Sequence, residues 1–296
     1  MKVPATICPA DNNFRAWLDL LNLKPSHALL EAMASFLRAY LESQKRNRYI
    51  LGVSGGIDSG FLAALLHRHD IPFTAFSIPI ATNRPDERTR AEAICRAYAP
   101  ASSWTSAQDL TDLYYLISTR LWTIFNRSTP AAEGNIKARI RMTFLYHAAQ
   151  LLEGCVLSTD QLDELLTGFW TLHGDVGDVS PLQLIPKSVE YELAEILCLK
   201  LDNPAPLRAA IKAVPTDGLG ISTSDLDQMG APSFTALEDL FHSYFTLRLK
   251  AEETPLTNNE RSHLDALEEE IPIKRFKATG FKRSGAIIFD PLTALP

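Results

Sequence analysis

The sequence predicts an α/β fold in which a parallel sheet is covered by helices on both faces. Short apolar runs, typical of buried strands, alternate with longer helical patterns between residues 26 and 159. The short connection "HDIP" (69–72) leads from one helix into the next strand, as in parallel βαβ units. From Lys187 onward the patterns are mostly helical, which predicts a helical C-terminal part.

Each element has its own local signal. Apolar residues recur at helical spacing over 26–45, and "RYILGV" (48–53) is typical of a buried strand. A helix follows the loop after this strand and extends to about His69. Further strands are predicted over 72–80 and 155–159, and further helices over 84–99, 107–125 and 134–154.

Composition excludes several classes of protein. The 296 residues are 46% apolar, enough to build one large domain or two small ones. The net charge of -6 argues against non-specific nucleic-acid binding, and no apolar run approaches the roughly 20 residues that cross a membrane. The N-terminus lacks the apolar segment of a secretory signal. The four cysteines are scattered singly, so we expect a reducing, cytoplasmic location; they are Cys8, Cys95, Cys155 and Cys198.

The string "SGGIDS", from Ser54 to Ser59, lies where the first strand turns into a helix. Glycines let the backbone approach an anion, and a helix N-terminus supplies about half a positive charge. The Walker A lysine is absent, and Asp58 would repel phosphate oxygens unless it holds a divalent cation that also touches them. The pattern therefore favours a pyrophosphate site with magnesium over an ordinary Gly-Gly turn capped by Asp58.

This string resembles the phosphate loop of the ATP pyrophosphatase superfamily. Those enzymes hold the β,γ-pyrophosphate of ATP while a carboxylate or carbonyl oxygen attacks the α-phosphorus and forms an adenylylated intermediate. Later stretches resemble NAD synthetases in particular, in the same order, over about residues 48–290. They are "NIKARIRMTFLYHAA" (135–149), "STDQLDELLTGFWTLHGDVGDVSPLQLIPK" (158–187), "VPTDGL" (214–219) with "SDLDQMG" (224–230), and "IKRFKATGFKRSGAIIFDP" (273–291).

The resemblance implies a fold, a domain organisation and an activity. The fold would be Rossmann-like, of the adenine nucleotide alpha hydrolase type. A single NAD synthetase-like domain would comprise an N-terminal helical segment (1–47), a nucleotide-binding core (48–187) and a mostly helical C-terminal part (188–296). The activity would be that of an ammonia-dependent NAD synthetase, which amidates deamido-NAD with ATP and releases AMP and pyrophosphate.

Each matching position carries an implied role. ATP would be bound by Gly52, Val53, Ser54, Gly55, Gly56, Ile57, Asp58, Ser59, Thr159, Lys187 and Thr216. Deamido-NAD would be bound by Asn135, Arg139, Asp178 and Lys282. Magnesium would be held by Asp58 and Glu164, and the catalytic residues would be Asp58 and Lys187. Asn135 and Arg139 are four residues apart on one helical face, and Thr159 ends a strand, where ligands of open α/β sheets collect.

Two departures from the family pattern fall at positions expected to bind the acceptor substrate, deamido-NAD. Leu172 stands where a lysine is expected to bind deamido-NAD, and Phe281 replaces a common histidine in the tail. An NAD synthetase-like amidoligase acting on a different carboxylate therefore remains an alternative. Only about 47 residues precede the first strand, too few for a glutaminase domain, so free ammonia is the expected nitrogen source unless a separate glutaminase docks to the chain. The resemblance also implies a homodimer with deamido-NAD near the subunit interface.

Two other classes of protein share the loop. A sulfur-transferring tRNA enzyme would show a basic surface and paired cysteines, and the net charge and the cysteine spacing both argue against it. A non-catalytic nucleotide-binding or scaffold protein would be expected to lack Asp58, Glu164 or Lys187, and all three are present. The sequence therefore favours the ligase.

Overall fold

The structure, a computed structural model, describes residues 12–81, 84–100, 104–105, 109–175, 177–216, 224–278 and 287–294. Within these residues the helices are α1 (Phe14–Leu21), α2 (His27–Gln44), α3 (Ile57–Arg68), α4 (Pro85–Tyr98), α5 (Thr111–Phe125), α6 (Pro130–Leu151), α7 (Leu162–Thr167), α8 (Lys187–Cys198), α9 (Ala205–Ile211), α10 (Asp225–Met229), α11 (Phe234–Glu253), α12 (Asn258–Glu269), α13 (Ile271–Ala278) and α14 (Pro291–Ala294). The strands are β1 (Arg48–Gly52), β2 (Phe73–Phe76), β3 (Trp104–Thr105), β4 (Gly154–Val156), β5 (Val179–Ser180) and β6 (Ile287–Ile288).

All paired strands run parallel. Four of them form a sheet in the order β3-β2-β1-β4, and β5 pairs with β6. A parallel bridge between Leu157 and Val179 joins the two sheets, which gives the spatial order 3-2-1-4-5-6. In this order successive strands are added on one side of β1 up to β3 and on its other side from β4 onward, so the strand order reverses between β1 and β4. Ligands of open α/β folds bind at such a reversal, outside the carboxyl ends of the strands.

Helix α3 is held in the interior on all sides. Phe61, Leu62, Leu65 and Leu66 are all fully buried, because α2, α4, α8 and α9 pack around this helix beside β1. A helix without a solvent-facing side has a fixed N-terminus. The loop between β1 and α3 is therefore anchored at both ends by the core.

A second apolar core lies outside the sheet. It is built from α1, α7, α11, α12 and α13, with aromatic rings at its centre, including Trp17, Phe241, Phe245 and Phe276. The rings of Phe245 and Phe276 meet at 5.2 Å between centroids. This core fixes the position of α7, the helix that follows β4 in the chain. None of the described helices is long and apolar enough to span a bilayer.

The predicted α/β fold is confirmed, with differences at the boundaries. Helix α6 begins at Pro130, earlier than the predicted residue 134, because Thr129 caps it and a proline fits the first helical turn. The strand predicted over 72–80 is shorter, from Phe73 to Phe76. Strands β3, β5 and β6 were not predicted, since two residues each are too few for a periodic signal.

Candidate functional site

A cavity of about 630 Å³ lies at the reversal between β1 and β4. Its volume is within the range of small-molecule sites. We call it the central cavity. Its walls come from the loop after β1, the segment after β4, and parts of α4, α6, α7 and the C-terminal helices. Residues that the sequence assigned to ATP and to magnesium line it together, including Thr159, Glu164 and Thr216.

The phosphate loop, Gly52 to Ser59, forms one wall of this cavity. Six of its eight residues line the cavity; they are Gly52, Val53, Ser54, Gly56, Ile57 and Asp58. Gly55 and Ser59 do not line the cavity, and their contact with ATP stays a prediction. The Ser59 hydroxyl accepts the Ser54 N–H at 3.1 Å and lies 3.2 Å from the Ser54 hydroxyl. These contacts stabilise the turn of the loop.

The loop turn depends on two glycines in different ways. Gly55 has a φ of +91°, and a Cβ there would lie 2.4 Å from the Glu87 carbonyl oxygen. Gly56 caps α3, and no described side chain bonds the first N–H groups of that helix. The helix end therefore keeps hydrogen-bond donors for an anion. The close approach of α4 to Gly55 explains why a side chain cannot stand there.

Lys187 reaches the phosphate loop from α8, behind the cavity wall that Asp58 helps to form. Its ammonium pairs with the Asp58 carboxylate and lies 3.1 Å from the Glu190 carboxylate. Lys187 is 3% exposed and Glu190 is fully buried. The lysine starts α8, where its own N–H donates to the Asp163 carboxylate at 2.9 Å. Asp163 thus fixes the end of α8 from which Lys187 extends.

The electrostatics of this cluster keep the lysine charged. Burial lowers the pKa of Lys187, but the carboxylates of Asp58 and Glu190 raise it by more, and the pKa lies well above its ordinary value. Burial, followed by the charge of Asp58, raises the pKa of Glu190 well above that of a free carboxyl. A buried, charged lysine therefore lies directly against Asp58 of the phosphate loop.

Asp58 and Glu164 suit a magnesium ion that is bound together with phosphates. Both line the central cavity, and the charge of Glu164 acts on Lys187. The described residues contain no group of three or more acidic, histidine or cysteine side chains that could hold a metal. Magnesium fits such a sparse donor set, because it keeps waters and takes one or two carboxylates plus substrate phosphates.

The acceptor residues predicted from the sequence are only partly in the cavity. Asn135 lines it and accepts the Thr171 hydroxyl at 2.7 Å. Arg139 does not; its Nε donates to the Leu172 carbonyl at 3.2 Å on the exposed face of α6. Asp178 lies outside it as well, since its carboxylate accepts the Val156 N–H at 2.8 Å. Lys282 lies outside the described residues.

Arg139 and Asp178 nevertheless share one exposed surface. Tyr146, seven residues after Arg139 on the same face of α6, donates its hydroxyl to Asp178 at 3.2 Å. Leu172, at the position of the expected lysine, is 43% exposed beside them. The structure therefore places Arg139, Asp178 and Leu172 at the outer rim of α6, away from the residues predicted to bind ATP.

Sequence reasoning missed several residues of the cavity. Arg141 lines it and donates to the Ile78 carbonyl at 3.0 Å. Trp170 also lines the cavity, and Glu190 lies beneath Lys187. For Glu190 a signal existed, because it lies three residues after the lysine on one helical face. For Arg141 and Trp170 the sequence offered none.

Comparison with known proteins agrees with this geometry. The model of a protein family described as NAD synthase matches residues 29–285. The chain belongs to the NAD synthase family. The match covers both the phosphate loop and Lys187, so both partners of the Asp58–Lys187 pair lie within the family sequence.

Individual relatives of this NAD synthase family member are similar over most of their length. An NH(3)-dependent NAD(+) synthetase of Thermoplasma volcanium is 30% identical over 219 residues, 73% of this chain and 83% of the relative. That of Thermoplasma acidophilum is 33% identical over 220 residues, with the same coverage. Among solved structures, the NMN synthetase of Francisella tularensis has a TM-score of 0.64 at 21% identity, over 85% of this chain and 92% of that one. This last likeness shows the fold alone.

Proposed function

We propose that this protein is an ammonia-dependent NAD synthetase. It would amidate the carboxylate of deamido-NAD with ammonia and ATP and release NAD, AMP and pyrophosphate. Family membership and the two Thermoplasma relatives support the activity. The observation that carries it is the meeting of Lys187 and Asp58 beside the uncapped N-terminus of α3.

The residues in the walls of the central cavity indicate how ATP would be bound. The N–H groups at the start of α3 and the loop around Gly56 would bind the phosphates, with Thr159 and Thr216 on the other walls. Lys187 would neutralise charge on the departing pyrophosphate, since it stays protonated. Its release from Asp58 on nucleotide binding would bring the ammonium to the phosphates.

The chemistry has two transfers. A carboxylate oxygen of deamido-NAD attacks the α-phosphorus, and the bond to the bridging oxygen of pyrophosphate breaks. Ammonia then attacks the acyl carbon of the adenylate, AMP leaves, and the extra proton on nitrogen passes to solvent. The protein contributes positioning and charge neutralisation, which account for much of the catalysis in such transfers.

Magnesium would be held by Asp58 and Glu164 together with the ATP phosphates. When bound, it would neutralise negative charge on the phosphates, as divalent cations do in nucleotidyl transfer. The two carboxylates reach the same cavity from the first turns of α3 and α7. Glu164 also accepts the Gln161 N–H at 3.1 Å, which fixes its side chain over the start of α7.

A homodimer is supported by the surface of α5. Six large apolar side chains of this helix are exposed; they are Leu113, Tyr115, Leu116, Trp122, Ile124 and Phe125. Exposed apolar surface of this size marks an interaction site, and a second copy is the usual partner. Helix α5 packs on α6, the helix that carries Arg139 and that contacts Asp178 through Tyr146. We propose that deamido-NAD binds at the outer rim of α6, near the subunit interface.

We further propose that 1–47, 48–187 and 188–296 act as parts of one domain. One apolar core joins α2, the sheet and α8.

The cysteines Cys95, Cys155 and Cys198 are free and buried, which supports a reducing, cytoplasmic location.

The test is ammonia-dependent release of AMP by the purified protein. We expect AMP and pyrophosphate in equal amounts with deamido-NAD, and none when deamido-NAD or ammonia is omitted. Other carboxylates, including the corresponding mononucleotide acid, are assayed in parallel. Activity with one of these and none with deamido-NAD would overturn the proposed acceptor and favour the amidoligase with a different substrate.

A further inference from the structure

Helix α4 brings an arginine to the phosphate loop that the proposed reaction does not yet use. The Arg90 Nε donates to the Gly55 carbonyl at 3.1 Å, and its Nη1 pairs with Asp86 at 2.6 Å. The side chain is 19% exposed and lines the central cavity. Its Nη2 has no hydrogen-bond partner within the described part of the chain. The guanidinium is therefore tied to the loop and still has donors available.

The position of Arg90 is set by the same contact that requires a glycine at Gly55. A Cβ on Gly55 would lie 3.2 Å from the Arg90 Cβ and 3.0 Å from the Ala91 nitrogen. The backbone of α4 thus lies directly against the turn of the loop. A guanidinium anchored at this distance loses little further freedom when it binds a ligand.

Arg90 would add a positive charge that the residues of the phosphate loop themselves lack. The loop lacks the lysine of Walker A, and Lys187 lies between two carboxylates, Asp58 and Glu190. The planar fork of an arginine matches two phosphate oxygens. We propose that Arg90 is a phosphate-binding residue of this site, which contacts the β,γ-phosphates of ATP and holds pyrophosphate as it leaves. This inference rests on the proposed function and adds a residue to it.

The experiment measures the binding of pyrophosphate and of AMP separately, by calorimetry at a fixed magnesium concentration. AMP reports the adenosine half of the site and pyrophosphate the half beside Arg90. The variants are Arg90→Gln and Arg90→Lys. Arg96→Gln is the matched control, because Arg96 lies on the same helix, is 62% exposed and pairs with Glu92 at 3.1 Å.

We expect Arg90→Gln to weaken pyrophosphate binding about tenfold or more and AMP binding less than about twofold. Arg90→Lys should be intermediate, since an ammonium keeps the positive charge but lacks the planar fork that pairs with two phosphate oxygens. If Arg90→Gln does not fold, Arg90→Lys is measured in its place. Unchanged pyrophosphate affinity, or an equal loss for both ligands, would show a purely structural arginine. A wild-type protein that binds neither ligand would instead overturn the proposed function.

Discussion

The ammonium of Lys187 lies against the carboxylate of Asp58, although 129 positions separate them in the chain. Each residue stands in the first turn of its own helix, α8 and α3. The N-termini of the two helices therefore meet, and an ion pair joins them. A nucleotide that brings its own negative charge can separate this pair, because it offers the lysine another anion.

Asp58→Asn should remove most of the turnover and leave the fold intact. The amide cannot hold magnesium as a carboxylate does, so we expect kcat to fall about 10²-fold or more. The measurement is AMP release, with thermal melting as the check on folding. Asp112→Asn is the matched control, an exposed acid in the first turn of α5, and should keep normal rates. Near-normal turnover of Asp58→Asn would show that its metal role is wrong.

Lys187→Met should destabilise the protein because Asp58 and Glu190 lose their shared cation. Breaking a buried ion pair from one side costs about 3–5 kcal/mol. The double variant Lys187→Met/Glu190→Leu should recover part of that free energy of unfolding and none of the activity. Urea denaturation measures the first quantity and AMP release the second. Recovery of activity in the double variant would contradict a catalytic role for Lys187.

Gly55→Ala should damage the phosphate loop, whereas Gly56→Ala should be tolerated in folding. At Gly55 the φ of +91° and the approach to Glu87 both exclude a side chain. At Gly56 the nearest atom to a Cβ is the Ser54 Oγ, at 3.4 Å. We expect a loss of about 1–2 kcal/mol or more at Gly55 from the backbone conformation alone. Equal melting temperatures for the two variants would contradict the described turn.

Leu116→Asp should disrupt the proposed dimer without unfolding the protomer. Leu116 is 68% exposed on α5, so its replacement affects no core packing within the chain. Analytical ultracentrifugation should show dimers for the wild type and monomers for the variant. Leu199→Asp, at a 74% exposed leucine elsewhere, is the matched control and should stay dimeric. A monomeric wild type would contradict the proposed interface.

The stability of the protein should fall between about pH 9 and 11 through Cys155. Burial raises the pKa of this thiol from 9.0 to about 11. A raised pKa stabilises the fold below the unfolded value, and that stability is lost as the pH rises through the folded value. Cys155→Ala should remove this part of the pH dependence, measured by urea unfolding at about pH 8 and about pH 10.5. An identical pH dependence in both proteins would contradict the burial of the thiol.

The sequence predicted the parts of the site that depend on local chemistry. The Gly-Gly turn, the acid after it and Lys187 each have a motif. Arg90 has none, because its role depends on where α4 packs, and Glu190 has only its spacing from Lys187 on one helical face. Asp178 has a motif, but the sequence did not show that its carboxylate accepts the Val156 N–H. Tertiary packing decides which charged residues face a cavity, and one sequence does not specify it locally.

The most direct measurement follows the oxygen atoms of the acceptor. Deamido-NAD labelled with ¹⁸O in its carboxylate is converted with ATP and ammonia, and the AMP and pyrophosphate are analysed by mass spectrometry. If the carboxylate attacks the α-phosphorus held at the phosphate loop, each AMP formed carries one ¹⁸O and pyrophosphate carries none. Unlabelled AMP, or label in pyrophosphate or inorganic phosphate, would contradict the adenylate.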